Sequence, residues 1–576
     1  MYHYDFFLSS SLEKVLADKR PQPMEAGETI PVFPGCIPAV QLVYTRYSSR
    51  KHPLYETPFT VSVEGAPVKA IMRSVELVPV DYPARERSDS LYITKKPAML
   101  PDLLIPLKDD TIRPQPDLYN AVWIDFPGID ISHRGRHEIK IIVQAPNEVE
   151  SENGSRLSDP DAAGYRAELP LVLEVIKEEI PPQTLIHTEW FHTDCLADFY
   201  HTEPLSEEHW EIIDAFMEPM AKRYGINAVL TPVFTPPLDT APGSERPTIQ
   251  LVDITAEGDT YSFDFSKLER WCSLCKKHGI KYLEIAHFFS QWGARATPKI
   301  VAFEGGEEKR IFGWEIPSNS TRYRNFLKQF IPALRDECSK NGFDQGHTIF
   351  HVSDEPHGDE IAVYKKAKNQ IADLVKGSLI IDALSDISFY RDGVIDHPVP
   401  ANDAIAPFLE ARIPNLWVYY CVAQGRLVPN RFIALPSARQ RAMGILMYYY
   451  RIAGFLQWGY NYYYSALSKT LINPFFKTGG LKDWPAGDPF LVYPGDDRKP
   501  LSSIRGEIHR ESLEDMRILS LVESRKGRDS VIKLIHEDFP GKLNFEHYPA
   551  DPDYYLRLRE KAAEIIESAG SYYVDR

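Results

Sequence analysis

The sequence predicts an α/β protein in which an antiparallel β-sandwich precedes a (β/α)8 TIM-type barrel, and three observations support this fold class. From about residue 30 to 178, short segments alternate apolar and polar residues between Pro, Gly and Asp, as is typical of a sandwich. After "EEIPPQ", residues 178–183, apolar strands alternate with longer helical stretches, which indicates parallel βα units. Eight such units can be counted, which is the number that closes a barrel.

The elements follow in chain order. Sandwich strands are predicted at "PAVQLVYTRY", "FTVSVEG", "AIMRSVELVPV", "YNAVWIDFPG", "HEIKIIVQAP" and "LPLVLEVIK". Barrel strands are predicted at "LIHTEW", "NAVLTPV", "KYLEIAH", "TIFHVSDEP", "SLIIDALS", "LWVYYC", "GFLQWGYN" and "FLVYPG", with helices such as "PSARQRAMGILMYYYRIAG" between them. The predicted domains are a sandwich over 1–180, a barrel over 181–525 and a C-terminal helical extension over 526–576.

The composition limits the partners of the protein. With 81 acidic and 65 basic side chains the formal net charge is −16, which argues against nucleic acid or an anionic membrane as the main partner. The first residues show no signal segment and no later run has the length of a membrane span, so a cytoplasmic location is expected. The sequence does not indicate an oligomeric state.

Two adjacent carboxylates, Asp354 and Glu355, lie in "HVSDEP" at the end of the fourth predicted barrel strand. Pro356 disfavours helical geometry at the preceding residue, so we expect Glu355 to stay extended and the strand to end at the pair. Active sites of barrels form at this rim, and a bend or bulge there would bring both side chains to one site. The alternative is that Asp354 caps the next helix while Glu355 is solvated or paired with an Arg.

The chemistry available to such a pair depends on a second acid across the site. A retaining glycosidase with an enzyme nucleophile needs another carboxylate about 5 Å from the acid. The strands predicted as sixth and seventh, "LWVYYCVAQG" and "GFLQWGYNYYYSALS", offer none. A substrate with a 2-acetamido group supplies its own nucleophile, so Glu355 could protonate the leaving oxygen while Asp354 orients the amide. Close like charges also separate the pKa values of two acids and keep one protonated.

Aromatic and polar residues at the other predicted strand ends are candidates for sugar binding. Sugar C–H faces stack on aromatic planes, and sugar hydroxyls need polar partners. Trp458 and Asn461 are preferred because both leave a strand end. The full set of candidates is Trp190, His192, His287, Trp292, Trp417, Tyr419, Trp458 and Asn461.

Several motifs together resemble glycoside hydrolase family 123 and the wider domain-of-unknown-function 4091 group. They are "LSSSLEKVLAD", "HVSDEP", "LQWGYNYY" and "DPFLVYPGDDRKPLSSIRGEIHRESLEDMRIL", and they span nearly the whole chain. The resemblance implies a β-N-acetylgalactosaminidase that retains anomeric configuration by substrate-assisted catalysis on an oligosaccharide or glycoconjugate. It implies that Asp354 stabilises the oxazolinium-forming amide and that Glu355 is general acid and then base. It also matches Trp458 to the family's strand-seven aromatic.

The sequence is compatible with two other classes of function. A barrel that kept its aromatic rim and lost catalysis would bind carbohydrate without turnover. A metal-dependent hydrolase would use His351, Asp354 and His357, but these residues straddle a strand end with no HExxH-like helix to hold two ligands on one face. No metal or other cofactor is expected: phosphate-loop and dinucleotide motifs are absent, and Cys272 and Cys275 lie in an amphipathic helical pattern without a second cysteine pair.

Overall fold

The computed structural model describes residues 2–48, 57–147, 162–356 and 360–568. The N-terminal region is a β-sandwich whose two sheets enclose an apolar core. All six predicted sandwich strands are present, and β1, β2, β6 and β7 are additional. The strands are β1 (Tyr2–Ser10), β2 (Thr29–Val32), β3 (Ala39–Ser48), β4 (Phe59–Glu64), β5 (Ile71–Val80), β6 (Ala98–Pro106), β7 (Thr111–Ile112), β8 (Asn120–Asp125), β9 (Gly135–Gln144) and β10 (Arg166–Val175).

An eight-stranded parallel sheet, nearly closed into a barrel, forms the second region. Its strands follow one another around the sheet in chain order, and its two edge strands are joined by a single bridge between Ala401 and Tyr419. They are β11 (Ile186–Glu189), β12 (Ala228–Thr231), β15 (Tyr282–Ile285), β18 (Thr348–Phe350), β19 (Leu379–Ala383), β20 (His397–Val399), β21 (Trp417–Tyr419) and β22 (Gly454–Gln457). A separate small sheet contains β13 (Asp253–Glu257), β14 (Thr260–Asp264), β16 (Ile300–Glu304) and β17 (Glu307–Phe312).

Helices follow the barrel strands and form the C-terminal end of the chain. Ser206, Ser320 and Ser503 cap three of them by accepting a backbone N–H from three residues further on. The helices after the fifth and sixth strands have only 4 and 5 residues, so these two units lack a full-length helix. The helices are α1 (Thr193–Tyr200), α2 (Glu207–Lys222), α3 (Ser266–His278), α4 (Thr321–Lys340), α5 (Ile361–Ile371), α6 (Ser388–Arg391), α7 (Ala406–Glu410), α8 (Ser437–Tyr449), α9 (Ile504–Lys526), α10 (Arg528–Glu537) and α11 (Pro552–Ser568).

The predicted eighth barrel strand is wrong. "FLVYPG" contributes β23 (Tyr493–Pro494), which pairs with β24 (Pro500–Ser503), and β24 pairs with β6 of the sandwich. The missing barrel strand is β20, which has three residues around a proline and is too short to give a recognisable pattern. Trp458 therefore follows the eighth strand of the barrel and not the seventh.

The sandwich and the barrel are joined across the predicted boundary at residue 180. The seven-stranded sandwich sheet includes β23 and β24, which come from the far end of the barrel sequence. Beside them, the buried guanidinium of Arg505 donates to Asp102 of β6 at 2.9 Å and to the Phe490 carbonyl at 2.7 Å. Buried pairs of this kind demand exact geometry, so they fix the register between the two regions. No helix among the described residues is long and apolar enough to cross a membrane.

Candidate active site

The acidic pair lies on the loop that leaves β18 at the carboxyl end of the barrel. The strand ends at Phe350, earlier than predicted, and α5 has Glu360 at its N-cap position, so Asp354 does not cap that helix. Glu355 is not extended as predicted: its φ is +42°, in the left-handed region. Non-glycine residues adopt this conformation rarely and mostly at functional sites. Both acids line one pocket, because the left-handed turn at Glu355 lets the side chains of two consecutive residues face the same site.

The loop is fixed by contacts with the segment that follows β15. The Ser353 hydroxyl donates to the Ser290 carbonyl at 2.9 Å, and the Trp292 N–H donates to the Asp354 carbonyl at 3.0 Å. Trp292 itself has a positive φ of +54° and is 37% exposed, so its indole stands at the open side of the pocket. The left-handed residue Trp292 is therefore hydrogen-bonded to the residue that precedes the left-handed Glu355, which fixes the Asp354 backbone at the mouth.

The pocket has a volume of about 160 Å³ and combines acids with indole rings. Four tryptophans and three carboxylates contribute to its wall, together with small apolar side chains. The lining residues are Trp190, His192, Leu238, Asp239, Gln291, Trp292, Asp354, Glu355, Ala383, Tyr419, Cys421, Val422, Leu456, Trp458 and Trp484. Apolar faces with a few convergent polar groups are typical of a site for a sugar-sized ligand.

The two acids are set in different surroundings. The Tyr419 hydroxyl donates to Glu355 Oε1 at 2.8 Å, and burial together with the Glu355 charge keeps the pKa of Tyr419 well above its usual range. Burial and the neighbouring Glu355 also raise the pKa of Asp354 well above its usual range, while the charge of His351 opposes that rise. A close carboxylate pair titrates as a unit, so this pair retains one proton well above the pH at which isolated carboxyl groups lose it.

His351 carries a buried positive charge beneath the pair. Its Nε2 contacts Glu284 Oε1 at 2.7 Å and its Nδ1 contacts Asp382 Oδ1 at 3.2 Å, and all three side chains are buried. Burial by itself would lower the pKa of His351, but the hydrogen bonds to Asp382 and Glu284 raise it to about 10. Both ring nitrogens therefore carry protons at neutral pH. The charge of the imidazolium favours the ionised form of Asp354 and so opposes the effect of burial.

Two of the indoles are oriented by hydrogen bonds at their N–H groups. Trp190 Nε1 donates to Glu284 Oε1 at 2.8 Å, and Trp458 Nε1 donates to Asp488 Oδ2 at 2.9 Å. Burial raises the pKa of Asp488 to about 7, although Arg431 and the Trp458 N–H act in the opposite direction. Indoles held at the N–H end keep their ring faces available for stacking against a sugar.

The structure brings five of the eight predicted binding residues to the pocket wall. These are Trp190, His192, Trp292, Tyr419 and Trp458.

The other three lie outside the lining. The side-chain amide of Asn461 is hydrogen-bonded to the backbone of His192. Its Oδ1 accepts from the His192 N–H at 2.8 Å, and its Nδ2 donates to the His192 carbonyl at 3.0 Å. Trp417 is buried in the barrel core. His287 stacks on His351 with ring centroids 4.1 Å apart. Nothing in these contacts directs them to a ligand.

Asp239 is a pocket acid that the sequence reasoning missed. It lies in the long loop after β12 and has a φ of +40°. Its Oδ2 accepts from the Tyr462 hydroxyl at 2.7 Å and from the Leu467 N–H at 2.9 Å, and burial raises its pKa. The available signal was a lone Asp in "PPLDTAPG", after a barrel strand other than the two in which a third acid was expected.

Among the described residues, two clusters bring together side chains that could hold a metal ion. In the first, His287, His351 and Asp382, both nitrogens of His351 already contact carboxylates, so this ring has no lone pair to offer. His357 of the metal hypothesis lies outside the described residues.

The second cluster is His187 and Glu189 of β11 with His509 of α9, between the sheet and that helix. Its two Nε2 atoms are 3.2 Å apart, and Glu189 is paired with the Arg431 guanidinium at 2.7 Å. Among the described residues, neither Nδ1 has a hydrogen-bond partner that would orient its ring. A metal-bound imidazole normally has such a partner. The donor set of this cluster therefore fits a metal poorly and fits a buried hydrogen-bonded network.

Paired carboxylates in an indole-lined pocket at the carboxyl ends of parallel barrel strands have the donors and stacking faces that glycosidic bond cleavage requires. That class of enzyme is confirmed by comparison with known families, because the family model of the glycoside hydrolase 123 catalytic domain matches residues 190–522, more than half of the chain. The protein belongs to glycoside hydrolase family 123, and it is a glycosidase that acts on a glycan.

One solved structure agrees with this fold. A family 123 glycoside hydrolase from Clostridium perfringens, studied for glycolipid glycan hydrolysis, has 15% sequence identity and a TM-score of 0.68, covering 98% of this chain and 97% of that chain. Parabacteroides merdae β-glucuronidase has 10% identity and a TM-score of 0.29, covering 89% and 52%. A Thermobacillus composti GH10 xylanase has 15% identity and a TM-score of 0.27, covering 53% and 98%. The last two scores are too low to support an argument. No curated protein matches the sequence.

Proposed function

We propose that this glycosidase removes terminal β-linked N-acetylhexosamine, with N-acetylgalactosamine as the expected sugar, by a retaining mechanism in which the substrate's 2-acetamido group is the nucleophile. The observation that carries the proposal is the convergence of Asp354 and Glu355 on one pocket through the left-handed backbone at Glu355. An acid that protonates a leaving oxygen and an adjacent acid that contacts a 2-acetamido group must reach the same sugar ring, and this turn makes that possible.

In the first step the amide oxygen attacks C1 while Glu355 gives its proton to the glycosidic oxygen, and the C1–O bond breaks. The resulting oxazolinium carries positive charge next to the amide nitrogen, where ionised Asp354 accepts its N–H and stabilises it. In the second step Glu355 takes a proton from water as the water oxygen attacks C1, the bond between C1 and the amide oxygen breaks, and the 2-acetamido group is restored. Two inversions at C1 give net retention. The buried imidazolium of His351 supports this assignment because its charge favours the ionised form of Asp354.

Asp239 is the residue that an alternative mechanism would use. It is the third acid of the pocket lining, and a nucleophile supplied by the enzyme would have to be such an acid. Its Oδ2 already accepts two hydrogen bonds, which support a role in shaping the wall. A 2-deoxy-2-fluoro glycoside separates the two mechanisms, because it traps a covalent ester on an enzyme nucleophile and has no acetamide to assist. Mass spectrometry that found Asp239 esterified would overturn the substrate-assisted proposal.

The substrate assignment is tested with matched aryl β-glycosides of N-acetylgalactosamine, N-acetylglucosamine, galactose and glucose. We expect turnover of the two acetamido sugars, with the galacto form preferred, and rates at least about a thousand-fold lower for the sugars that lack the acetamide, since removing a positioned nucleophile costs several kcal/mol. Comparable rates with and without the acetamide would contradict the mechanism. Binding of these sugars without any turnover would support instead a carbohydrate-binding barrel that has lost catalysis.

The roles of the acids are tested by exchanging carboxylate for amide. Glu355→Gln should lose about 10²–10⁴-fold in kcat on glycosides with poor leaving groups and much less on aryl glycosides with acidic phenols, which need no proton. Asp354→Asn should impair both substrate types, because the oxazolinium forms in both. Asp239→Asn is the matched control, because it exchanges a pocket acid that is neither the general acid nor the residue that stabilises the oxazolinium. Equal losses of Glu355→Gln on both substrate types would contradict the acid assignment.

A further inference from the structure

A second cleft, lined by three arginines, adjoins the active-site pocket. Its volume is about 470 Å³, and it lies where the loop after β5 of the sandwich meets the loop after β21 of the barrel. Its lining residues are Tyr82, Arg85, Glu86, Arg87, Ser88, Ala423, Gly425 and Arg426. Three guanidinium groups against one carboxylate give this surface a positive charge, in a chain whose formal net charge is −16.

The three arginine side chains have no partner within the described protein. Arg85, Arg87 and Arg426 are exposed, and no hydrogen bond or ion pair with a described residue engages their guanidinium groups. The acid that follows them on the sandwich loop is already paired: Asp89 Oδ1 accepts from the Arg439 guanidinium of α8 at 3.0 Å. Three unpaired cations in one cleft repel one another, and a bound anion would reduce this electrostatic repulsion.

The two loops that carry these arginines are locked together. The Tyr92 hydroxyl donates to the Gly425 carbonyl at 2.7 Å, and the Leu427 N–H donates to Asp89 Oδ2 at 2.6 Å. Arg426 lies between these two anchor points on the barrel loop. The cleft is therefore held in shape before any ligand arrives, which reduces the entropy cost of binding.

The cleft and the pocket share a wall. Cys421 and Val422 line the pocket, and the next residue, Ala423, lines the cleft. On the other side, Trp484 lines the pocket while the nearby Ala486 N–H donates to the carbonyl of Tyr82 in the cleft at 2.9 Å. Consecutive Cα atoms are about 3.8 Å apart, so the cleft begins within the length of one sugar ring from the pocket rim.

We propose that the Arg85, Arg87 and Arg426 cleft binds an anionic group, a carboxylate or a sulfate ester, on the leaving-group part of the glycan. The inference rests on the proposed function, because the terminal sugar fills the pocket and the rest of the glycan leaves along the shared wall. Guanidinium groups suit both anions, since their N–H groups match paired oxygen atoms. The natural substrate is then an acidic glycan, and the sandwich contributes directly to substrate recognition through Arg85 and Arg87.

The experiment compares three disaccharides in which N-acetylgalactosamine is β-linked to galactose, to O-sulfated galactose or to glucuronic acid. The variants are the three single Arg→Gln exchanges and the triple Arg85→Gln/Arg87→Gln/Arg426→Gln. We expect the wild type to show a lower KM for one or both acidic disaccharides. Each single variant should raise the KM for the acidic disaccharide by about three- to five-fold, because that is the usual contribution of one exposed charge-assisted contact. The triple variant should abolish the preference for the acidic disaccharide over the neutral one. The comparison of sulfate with carboxylate identifies the group.

Three controls make the outcome specific. The kcat and KM for the neutral disaccharide and for a neutral aryl N-acetylgalactosaminide should not change in any variant. Arg113→Gln, which removes an exposed arginine elsewhere on the sandwich, should leave every substrate unaffected. The acidic preference should also fall as salt rises from 0.05 to 0.5 M, because exposed charges are screened.

The proposal is overturned if the wild type shows no preference for either acidic disaccharide, or if the triple variant keeps the wild-type preference. If no aryl glycoside is cleaved, the proposed function fails, and the cleft is tested separately by titration calorimetry of Glu355→Gln with the same disaccharides. Tighter binding of an acidic disaccharide that the triple exchange removes then supports the cleft without catalysis. Equal affinities with and without the three arginines reject it.

Discussion

Exchange of Asp488 for Asn should make the protein more stable at neutral pH. Asp488 is fully buried and holds the indole N–H of Trp458, and burial raises its pKa from 3.8 to about 7. A carboxyl group with a raised folded-state pKa contributes stability that is fully present below its unfolded pKa and is lost as the pH rises through the folded pKa. The contribution of Asp488 to the stability of the wild type is therefore lost between pH 4 and pH 7, and Asp488→Asn, which cannot ionise, has no such loss.

The size of the effect follows from the pKa values. A shift of roughly three units at about 1.4 kcal/mol per unit corresponds to an upper bound of about 4 kcal/mol between pH 4 and pH 7. The amide oxygen of Asn can still accept the Trp458 N–H, so the indole should keep its position. This bound is a large part of the free energy of unfolding of an ordinary domain, so even a smaller effect can be measured.

Urea denaturation followed by tryptophan fluorescence at pH 4.5, 6, 7 and 8 measures this gap. The midpoint of Asp488→Asn should equal that of the wild type at low pH and exceed it increasingly up to pH 7. Asp392→Asn, at an exposed aspartate, is the matched control and should show no pH-dependent gap. A gap that is the same at pH 4.5 and pH 8, or one that the control reproduces, would refute the reasoning that burial keeps Asp488 protonated.

Three further substitutions test the site and the barrel beneath it. His351→Leu leaves two buried carboxylates without their cation and should lower the free energy of unfolding by about 3–5 kcal/mol at pH 7; a loss below 1 kcal/mol would contradict the imidazolium. Tyr419→Phe removes the donor to Glu355 Oε1 and should lower kcat about ten-fold with an unchanged circular dichroism spectrum, whereas an unchanged kcat would reject that role. Gly454→Ala puts a Cβ within 2.1 Å of Trp417 and should lower the free energy of unfolding by about 1–3 kcal/mol. A urea midpoint equal to that of the wild type would disprove this clash.

Much of the fold could be predicted because its signals are local. Alternating strands such as β9 and amphipathic helices such as α4 show their period within one segment, and the order of such segments indicates parallel units. The strand β20 has three residues and no period to detect. The run "FLVYPG" is apolar enough for a barrel strand, and only its pairing shows that it belongs to the sandwich.

By itself, the sequence determined the chemical content of the active site: two adjacent acids after a barrel strand and a supply of tryptophans at other strand ends. The tertiary structure decided which of these residues meet. It holds the backbone of Glu355 in the left-handed region, and it places Glu284 of β15 and Asp382 of β19 in contact with His351. It also hydrogen-bonds the Asn461 amide to the backbone of His192. The physical reason is that a residue's period and propensity are properties of its own segment. Its charge, hydrogen bonds and burial depend on segments far along the chain that only folding brings into contact.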